Sequence, residues 1–326
     1  MNDAIYSDTT HRESIKVSVC VVTYNQKDYV RECLDSLLAQ EVDFSYEIIV
    51  GDDASTDGTA DIIREYAVKY PEIIKPMLHD KNIGAFANVK SVYAAAHGRY
   101  IAHLDGDDTA FPLKLQKQVM MLDTHPECFI CSHDAVIIDK DSRQIADHLI
   151  RHRAGVNTLG DLYQDLPFFT HSTKMFRNEG VSDTFAAFNK DTIDLEVHVA
   201  QTKKGKIYHL DECLGGYRIF VGISLTNKKV NPLIYQAVNR VFDDAFAHNT
   251  SELSPDELTR AYAHALFKFA YQSAALGNMV DAKRYIQQSM ATKPFSLIQV
   301  GFWFTTYIPY LTLALVKLKR AQKYKS

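Results

Sequence analysis

Cysteine is scarce in this chain and odd in number: Cys20, Cys33, Cys128, Cys131 and Cys213 in 326 residues. That count does not describe a disulfide framework, and Cys20 and Cys33 lie inside apolar patterns, as reduced core thiols do. The spacing "CFIC" at 128–131 lacks the second cysteine pair that would complete a zinc site, and it reads as a buried strand. Positive charge is not in excess either. A formal net charge of −4 leaves no basic footprint, so nucleic acid is not an expected partner. The opening "MNDAIYSDTTHRES" has no apolar leader, which points away from secretion and toward the cytoplasm.

What is present is a regular alternation. "VSVCVV" at 17–22 is short, apolar and β-branched, as a strand buried on both faces should be. A helical face of Val30, Leu34, Leu37 and Leu38 follows, then a strand in "YEIIVGDD" and a helix in "ADIIREYAVKY" ending before Pro71. The pattern repeats through "EIIKPMLH", a helix within "NIGAFANVKSVYAAAHG" that Gly98 should stop, and the strand "RYIAHLD". Strands alternating with helices of this length predict an α/β fold with a mainly parallel sheet, whose ligands gather at the carboxyl ends of the strands. After residue 150 the reading is less regular. "DLPFFTHSTKMFRN" reads as a loop entering a strand, and "DTIDLEVHVAQTKKGKIYHLDE" as helix, glycine stop at Gly205 and strand. From about 226 the chain turns helical; Ser254, Pro255 and Glu257 make a capping box, and "NMVDAKRYIQQSMATKP" completes a helical hairpin.

Three polar clusters fall at the carboxyl ends of predicted strands: Thr23-Tyr24-Asn25, Asp52-Asp53, and Asp105 to Asp108 in "LDGDD". One aspartate would cap the helix that follows "LDGDD", whereas three in four positions repel one another. Two like charges about 4 Å apart repel by about 4 kcal/mol at an effective dielectric near 20. A hard dication such as Mg²⁺ or Mn²⁺, bound by carboxylates together with substrate phosphates, turns that repulsion into attraction. Asp53 is suited to a base or ribose hydroxyl and Tyr24 to stacking, while helix capping by Asp53 or Ser55 is the plainer alternative.

In order and spacing, "VSVCVVTYNQKDYVRECLDSLLAQ", "YEIIVGDDASTDGT" and "NIGAFANVKSVYAAAHGRYIAHLDGDD" resemble family 2 glycosyltransferases of the GT-A fold over about the first 120 residues. The resemblance implies a GT-A (nucleotide-diphospho-sugar transferase, Rossmann-like mixed sheet) architecture with a helical C-terminal region. It also implies a UDP-, dTDP- or GDP-linked sugar donor, Mn²⁺ or Mg²⁺, and inversion at the anomeric carbon. By analogy Thr23, Tyr24, Asn25, Asp53, Asp105 and Asp107 bind the donor, with Asp107 and Asp108 on the metal. The family's base is an acidic residue at a helix start some eighty residues on; here Asp194 is favoured, with Asp191 a rival at a possible N-cap. "THSTKMFRN" matches the acceptor-lining segment and nominates His171 and Ser172. After "YR" the family often has a histidine two residues on; this chain has Phe220, and Arg218 is the residue expected to reach the diphosphate instead.

The expected organisation is a short N-terminus (1–14), a catalytic domain (15–225) and a helical region (226–326) with an apolar and basic tail (295–326). "FSLIQVGFWFTTYIPYLTLALV" carries no charge and precedes Lys317, Lys319, Arg320, Lys323 and Lys325. Three readings stay open: a helix pair packed on the core, a helix in the membrane interface on the inner face of the cell membrane, and a spanning anchor. Interfacial attachment suits a lipid-linked acceptor, a saccharide acceptor needs none. The rival functions are a nucleotidyltransferase, for which no glycine- and basic-rich loop follows the first strand, and a catalytically silent membrane scaffold, which the intact acidic motif opposes.

Overall fold

The computed structural model describes residues 15–186, 188–219, 221, 230–248 and 250–323, without the side chains of 182, 183 and 318–323. In chain order the elements begin β1 (Val17–Thr23), α1 (Val30–Leu38), β2 (Tyr46–Asp52), α2 (Thr59–Lys69), β3 (Ile74–Leu78), α3 (Ala85–Ala94) and β4 (Tyr100–Asp105). There follow β5 (Thr109–Ala110), α4 (Lys114–Thr124), β6 (Cys128–Ile138), β7 (Gln144–Ala146), β8 (Gly155–Asn157) and α5 (Leu159–Gln164). A 3-10 turn at His171–Thr173 leads into β9 (Lys174–Arg177), α6 (Val181–Ala186), α7 (Asp194–Thr202) and β10 (Lys206–Arg218). The rest is helical: α8 (Pro232–His248), α9 (Pro255–Ala275), α10 (Met279–Thr292), α11 (Leu297–Thr305) and α12 (Pro309–Lys323).

The main sheet runs β3-β2-β1-β4-β9-β6-β10-β5. β3, β2, β1 and β4 are mutually parallel, as the alternating sequence predicts, and β6 is parallel to β10. β9 enters between β4 and β6 antiparallel to both, which makes the sheet mixed. This insertion matters for the site, because it lays the turn before β9 alongside the end of β4. "CFIC" is the start of β6, with Cys128 and Cys131 buried.

Helices cover both faces. Val30, Leu34 and Leu37 of α1 and Leu115, Val119 and Leu122 of α4 pack on one face. On the other, Cys20, Ile49 and Ile101 of the sheet share a continuous core with Val238, Phe242, Leu266, Phe302 and Val316 of the C-terminal helices. Each fully buried Leu or Phe in these layers contributes about 1.5–3 kcal/mol. Ser254 Oγ accepts from the Glu257 N–H while Glu257 Oε2 accepts from the Ser254 N–H, the expected capping box, and α9 and α10 form the hairpin.

Two expectations are corrected. α3 ends at Ala94, so Gly98 is not its stop. A Cβ on Gly98 would lie 2.3 Å from the Ser18 backbone nitrogen, and glycine is required there by the approach of β1. The tail is two short helices rather than one continuous segment, and among the described residues no helix is long and apolar enough to cross a membrane. Phe302 and Val316 join the core, whereas Leu297, Ile298, Phe304 and Tyr310 are exposed. The side chains of Lys319, Arg320 and Lys323, and all of Lys325, lie outside the described residues, as does Phe220.

Candidate active site

At the carboxyl edge of the sheet the chain takes sharp turns. Asn25, Ala54 and Leu113 hold left-handed φ angles of 53°, 59° and 68° there, a conformation that costs non-glycine residues about 1–3 kcal/mol and persists where surroundings impose it. The Asn25 N–H donates to Ser55 Oγ at 2.8 Å, and Asn25 Oδ1 accepts from the Thr56 N–H at 2.9 Å, so Asn25 ties the turns after β1 and β2 together. Asp52 is engaged within its own turn by the Ser55 N–H and hydroxyl. Asp53 accepts the Ile83 N–H at 2.6 Å and the Gly84 N–H at 3.0 Å, one on each carboxylate oxygen, which secures the turn before α3 and leaves one further lone pair per oxygen. Tyr24 is half exposed beside them, and Thr23 is buried.

The acidic motif follows β4. Asp105 accepts from the Ser172 hydroxyl at 3.2 Å, and its N–H donates to the same Ser172 Oγ at 3.1 Å. His103 Nε2 lies 3.2 Å from Asp105 Oδ1. Burial opposes ionisation of Asp105, but the contacts with His103 and Ser172 and the charge of Lys114 hold its pKa below the usual carboxylate range. Asp107 moves the other way, up to about 6, because it is buried beside Asp105; Arg218 and Gln26 offset only part of this. Asp108, buried and facing both neighbours, is raised further still. Its Oδ1 accepts the Arg218 N–H at 2.7 Å, while Oδ2 is buried without a hydrogen-bond partner. Thr23 Oγ1 and Gln26 Oε1 are likewise buried and unpartnered, and both lie against Gly106, where a Cβ would be 2.7 Å from the Gln26 oxygen. Unsatisfied oxygens beside crowded carboxylates suit an oxygen-seeking dication.

Arg218, expected from the sequence to reach the diphosphate, is bonded internally in this structure. Its guanidinium is fully buried: Nε donates to the Asp107 carbonyl, Nη1 to the Asp139 carbonyl and Nη2 to Glu32 Oε2, each at 2.7 Å. It is a tie between β10, α1 and the motif. Ser172 likewise orients Asp105, and its carbonyl accepts from the buried Lys114 Nζ at 2.7 Å. Burial lowers the Lys114 pKa to about 8, against the pull of Asp108.

The two nominated bases separate clearly. α7 begins at Asp194 with Ile193 in the N-cap position, so Asp191 is not the cap and is exposed in the preceding turn. Asp194 faces inward. Burial raises its pKa despite the nearby Lys174 ammonium and the Leu195 N–H, which donates to Oδ1 at 2.9 Å; Asp105 lies close enough to raise it further. His171 approaches Asp194 from the 3-10 turn, with His198 from one helical turn onward. Sequence reasoning missed His103, Tyr93, Lys114, Lys174 and His198. His103 stands two residues before Asp105 on the same strand, and His198 four after Asp194 on the same helix, so both spacings carried a signal. Lys114 and Tyr93 arrive from distant elements and carried none.

Comparison with other proteins places the fold and the family. The fold is similar to S. aureus TarS crystallised with UDP-GlcNAc (TM-score 0.66, 19% identity, covering 94% of this chain and 92% of that one). It is also similar to the mannosyltransferase PcManGT of Pyrobaculum calidifontis in complex with GDP-Man and Mn²⁺ (TM-score 0.56, 17% identity, 94% and 86%). At those identities the likeness concerns the fold alone. In sequence, the uncharacterised protein Rv1520 of Mycobacterium tuberculosis is 38% identical over 204 residues, 62% of this chain but 58% of that protein. The putative teichuronic acid biosynthesis glycosyltransferase TuaG of Bacillus subtilis is 30% identical over 230 residues, 69% of this chain and 89% of TuaG. The sequence profile for glycosyl transferase family 2 matches residues 18–185, more than half of the chain, and the protein belongs to that family.

Proposed function

We propose that the chain is an inverting, metal-dependent glycosyltransferase. It would move a sugar from a UDP-, dTDP- or GDP-linked donor to an acceptor hydroxyl in the synthesis of a surface polysaccharide or glycoconjugate. The observation that carries this reading is the meeting of two differently prepared acids at one sheet edge: the crowded Asp105–Asp107–Asp108 motif and, near it, the partly buried Asp194. The bound ligands named for TarS and PcManGT, and the pathway named for TuaG, support the substrate class.

Asp107 and the unpartnered Oδ2 of Asp108 are the atoms that would hold Mn²⁺ or Mg²⁺, and such an ion supplies Lewis-acid stabilisation to a departing diphosphate. Thr23, the half-exposed ring of Tyr24, Asn25 and the remaining lone pairs of Asp53 would bind the nucleoside. Ser172 and His103 fix the Asp105 carboxylate for the same donor. Asp194 takes the proton of the acceptor hydroxyl as that oxygen attacks the anomeric carbon from the face opposite the leaving group, a single displacement that inverts configuration. Its raised pKa makes it a stronger base than a solvated aspartate. His171, beside Asp194, lies on the acceptor side, and Asp191 is the weaker rival base on account of its exposure. The exposed apolar side chains of α11 and α12, with the basic sequence that follows, support attachment to an anionic membrane surface and hence a lipid-linked acceptor.

Thermal shift with UDP, GDP and dTDP, each with and without Mn²⁺, tests the donor half. One nucleotide should stabilise the protein by about 2.7 kcal/mol at a hundredfold excess over its dissociation constant, and only with metal. Absence of metal-assisted stabilisation by all three would overturn the reading.

A further inference from the structure

A second convergence of ligand atoms lies behind the acidic motif, and a chain of hydrogen bonds connects the two. His103 Nε2 meets Asp105 Oδ1 at 3.2 Å, His103 Nδ1 meets the Tyr93 hydroxyl at 2.9 Å, and that hydroxyl meets His171 Nε2 at 2.8 Å. The two imidazoles are stacked with centroids 3.6 Å apart. Hydrogen-bond logic assigns the protons along this chain. An ionised Asp105 only accepts, so His103 Nε2 carries the hydrogen. Burial keeps His103 neutral, which makes its Nδ1 a lone pair and obliges the Tyr93 O–H to donate to it. The Tyr93 oxygen then accepts from His171 Nε2–H, and the lone pair of His171 is left on Nδ1.

His171 thus keeps one ring nitrogen free for a ligand. His171, Asp194 and His198 each offer a ligand atom, and the three atoms lie within 4.8 Å of one another. His198 is fully buried, and neither ring nitrogen has a hydrogen-bond partner. Asp194 Oδ1 accepts the Leu195 N–H, so Oδ2 remains available. Asp194 and His198 are four residues apart on α7 and share a face, while His171 is supplied by the turn before β9. Two imidazoles and one carboxylate with an open position are the ligand set of borderline dications, and a ligating histidine characteristically donates its other N–H to a fixed partner, here Tyr93.

We propose that His171, Asp194 and His198 form a second metal site, selective for Zn²⁺ and similar transition-metal ions and separate from the oxygen-rich site at Asp107 and Asp108. The difference in donor atoms separates the two: imidazole nitrogen favours Zn²⁺, carboxylate oxygen favours Mg²⁺ and Mn²⁺. Lys174 opposes occupancy. Its buried ammonium, bonded to Gln201 Oε1 at 3.0 Å, lies close enough to act on Asp194 and His198, so the site is a reversible one rather than a structural cage. Resting on the assignment of Asp194 as base, a Zn²⁺ ion there occupies the carboxylate that must take the acceptor proton and inhibits transfer while the donor still binds.

The test uses the metal-freed full chain titrated with Co²⁺, followed by visible absorption, with Zn²⁺ as competitor. Wild type and Asp107→Asn should develop a tetrahedral-type cobalt band that Zn²⁺ abolishes. His198→Gln and Asp194→Asn should weaken the band's apparent affinity by about tenfold or more, and Lys174→Met should tighten it. Should His198→Gln fail to fold, the opposite shifts of Asp194→Asn and Lys174→Met carry the test. A wild-type protein without the band, or a folded His198→Gln with unchanged affinity, overturns the site. A cobalt site that is present while saturating Zn²⁺ leaves transfer unaffected supports the site and removes Asp194 as the base.

Discussion

The backbone N–H of Arg218 donates to Asp108 Oδ1 at 2.7 Å, so the last residue of β10 holds the last carboxylate of the acidic motif, 110 positions earlier in the chain. The same residue's guanidinium reaches the Asp107 carbonyl and Glu32. Arg218 is thus a fixed buttress for the motif.

Arg218→Met should therefore cost stability before it costs anything else. The backbone bond to Asp108 survives, but the Asp107 and Asp139 carbonyls and Glu32 lose their buried partner, a loss of about 3 kcal/mol. Urea unfolding without nucleotide reads this directly. An unchanged midpoint, with nucleotide binding lost, would mean that Arg218 serves the diphosphate instead.

Ser172 both accepts from the Asp105 N–H and donates to its carboxylate. Ser172→Ala should lower donor affinity or turnover by about 1–1.5 kcal/mol, roughly tenfold, with a small change in melting temperature. Ser172→Cys, with a weak donor, should fall between. Steady-state kinetics with the matching nucleotide-sugar decides; full activity in Ser172→Ala would remove the positioning role.

Asp107 and Asp194 serve opposite halves of the proposed reaction. Asp107→Asn should abolish Mn²⁺-dependent stabilisation by nucleotide, whereas Asp194→Asn should keep it and lose turnover by about 10²–10⁴-fold. Calorimetry paired with transfer assays separates them. Loss of donor binding in Asp194→Asn would contradict its assignment as base.

Burial lowers the Lys174 pKa to about 7, against the pull of Asp194. Between about pH 7 and the ordinary lysine value the unfolded chain binds more protons than the folded one, so stability rises with pH across that window. Lys174→Met should flatten this rise. Unfolding free energies from pH 7 to 10 test it, and an equal slope in the variant would show that another group is responsible.

Leu297 and Tyr310 are about nine-tenths exposed, and Phe304 is more than half exposed, on helices whose Phe302 and Val316 join the core. Replacing those three exposed residues with serine should reduce flotation with anionic liposomes while leaving the melting temperature nearly unchanged. Equal flotation would remove the interfacial reading of the tail.

The order of residues alone determined the alternation of β1 to β4 with their helices, the three polar clusters at one sheet edge, the capping box at Ser254 and the family. These are local signals: short apolar β-branched runs, period 3.6, a cap three residues from its partner, and short motifs in register. Tertiary structure alone decided that β9 runs antiparallel between β4 and β6, and with it everything that insertion brings together. Ser172 meets Asp105 across 67 positions, Tyr93 bridges His103 and His171, and Arg218 is consumed internally. No periodicity encodes such pairings, because a side chain's partner across a sheet is set by strand order and register, which depend on how whole faces bury one another. The difference in setting between Asp191 and Asp194 is of that kind: both precede the same apolar face, and only the point where α7 starts turns one inward and leaves the other in water.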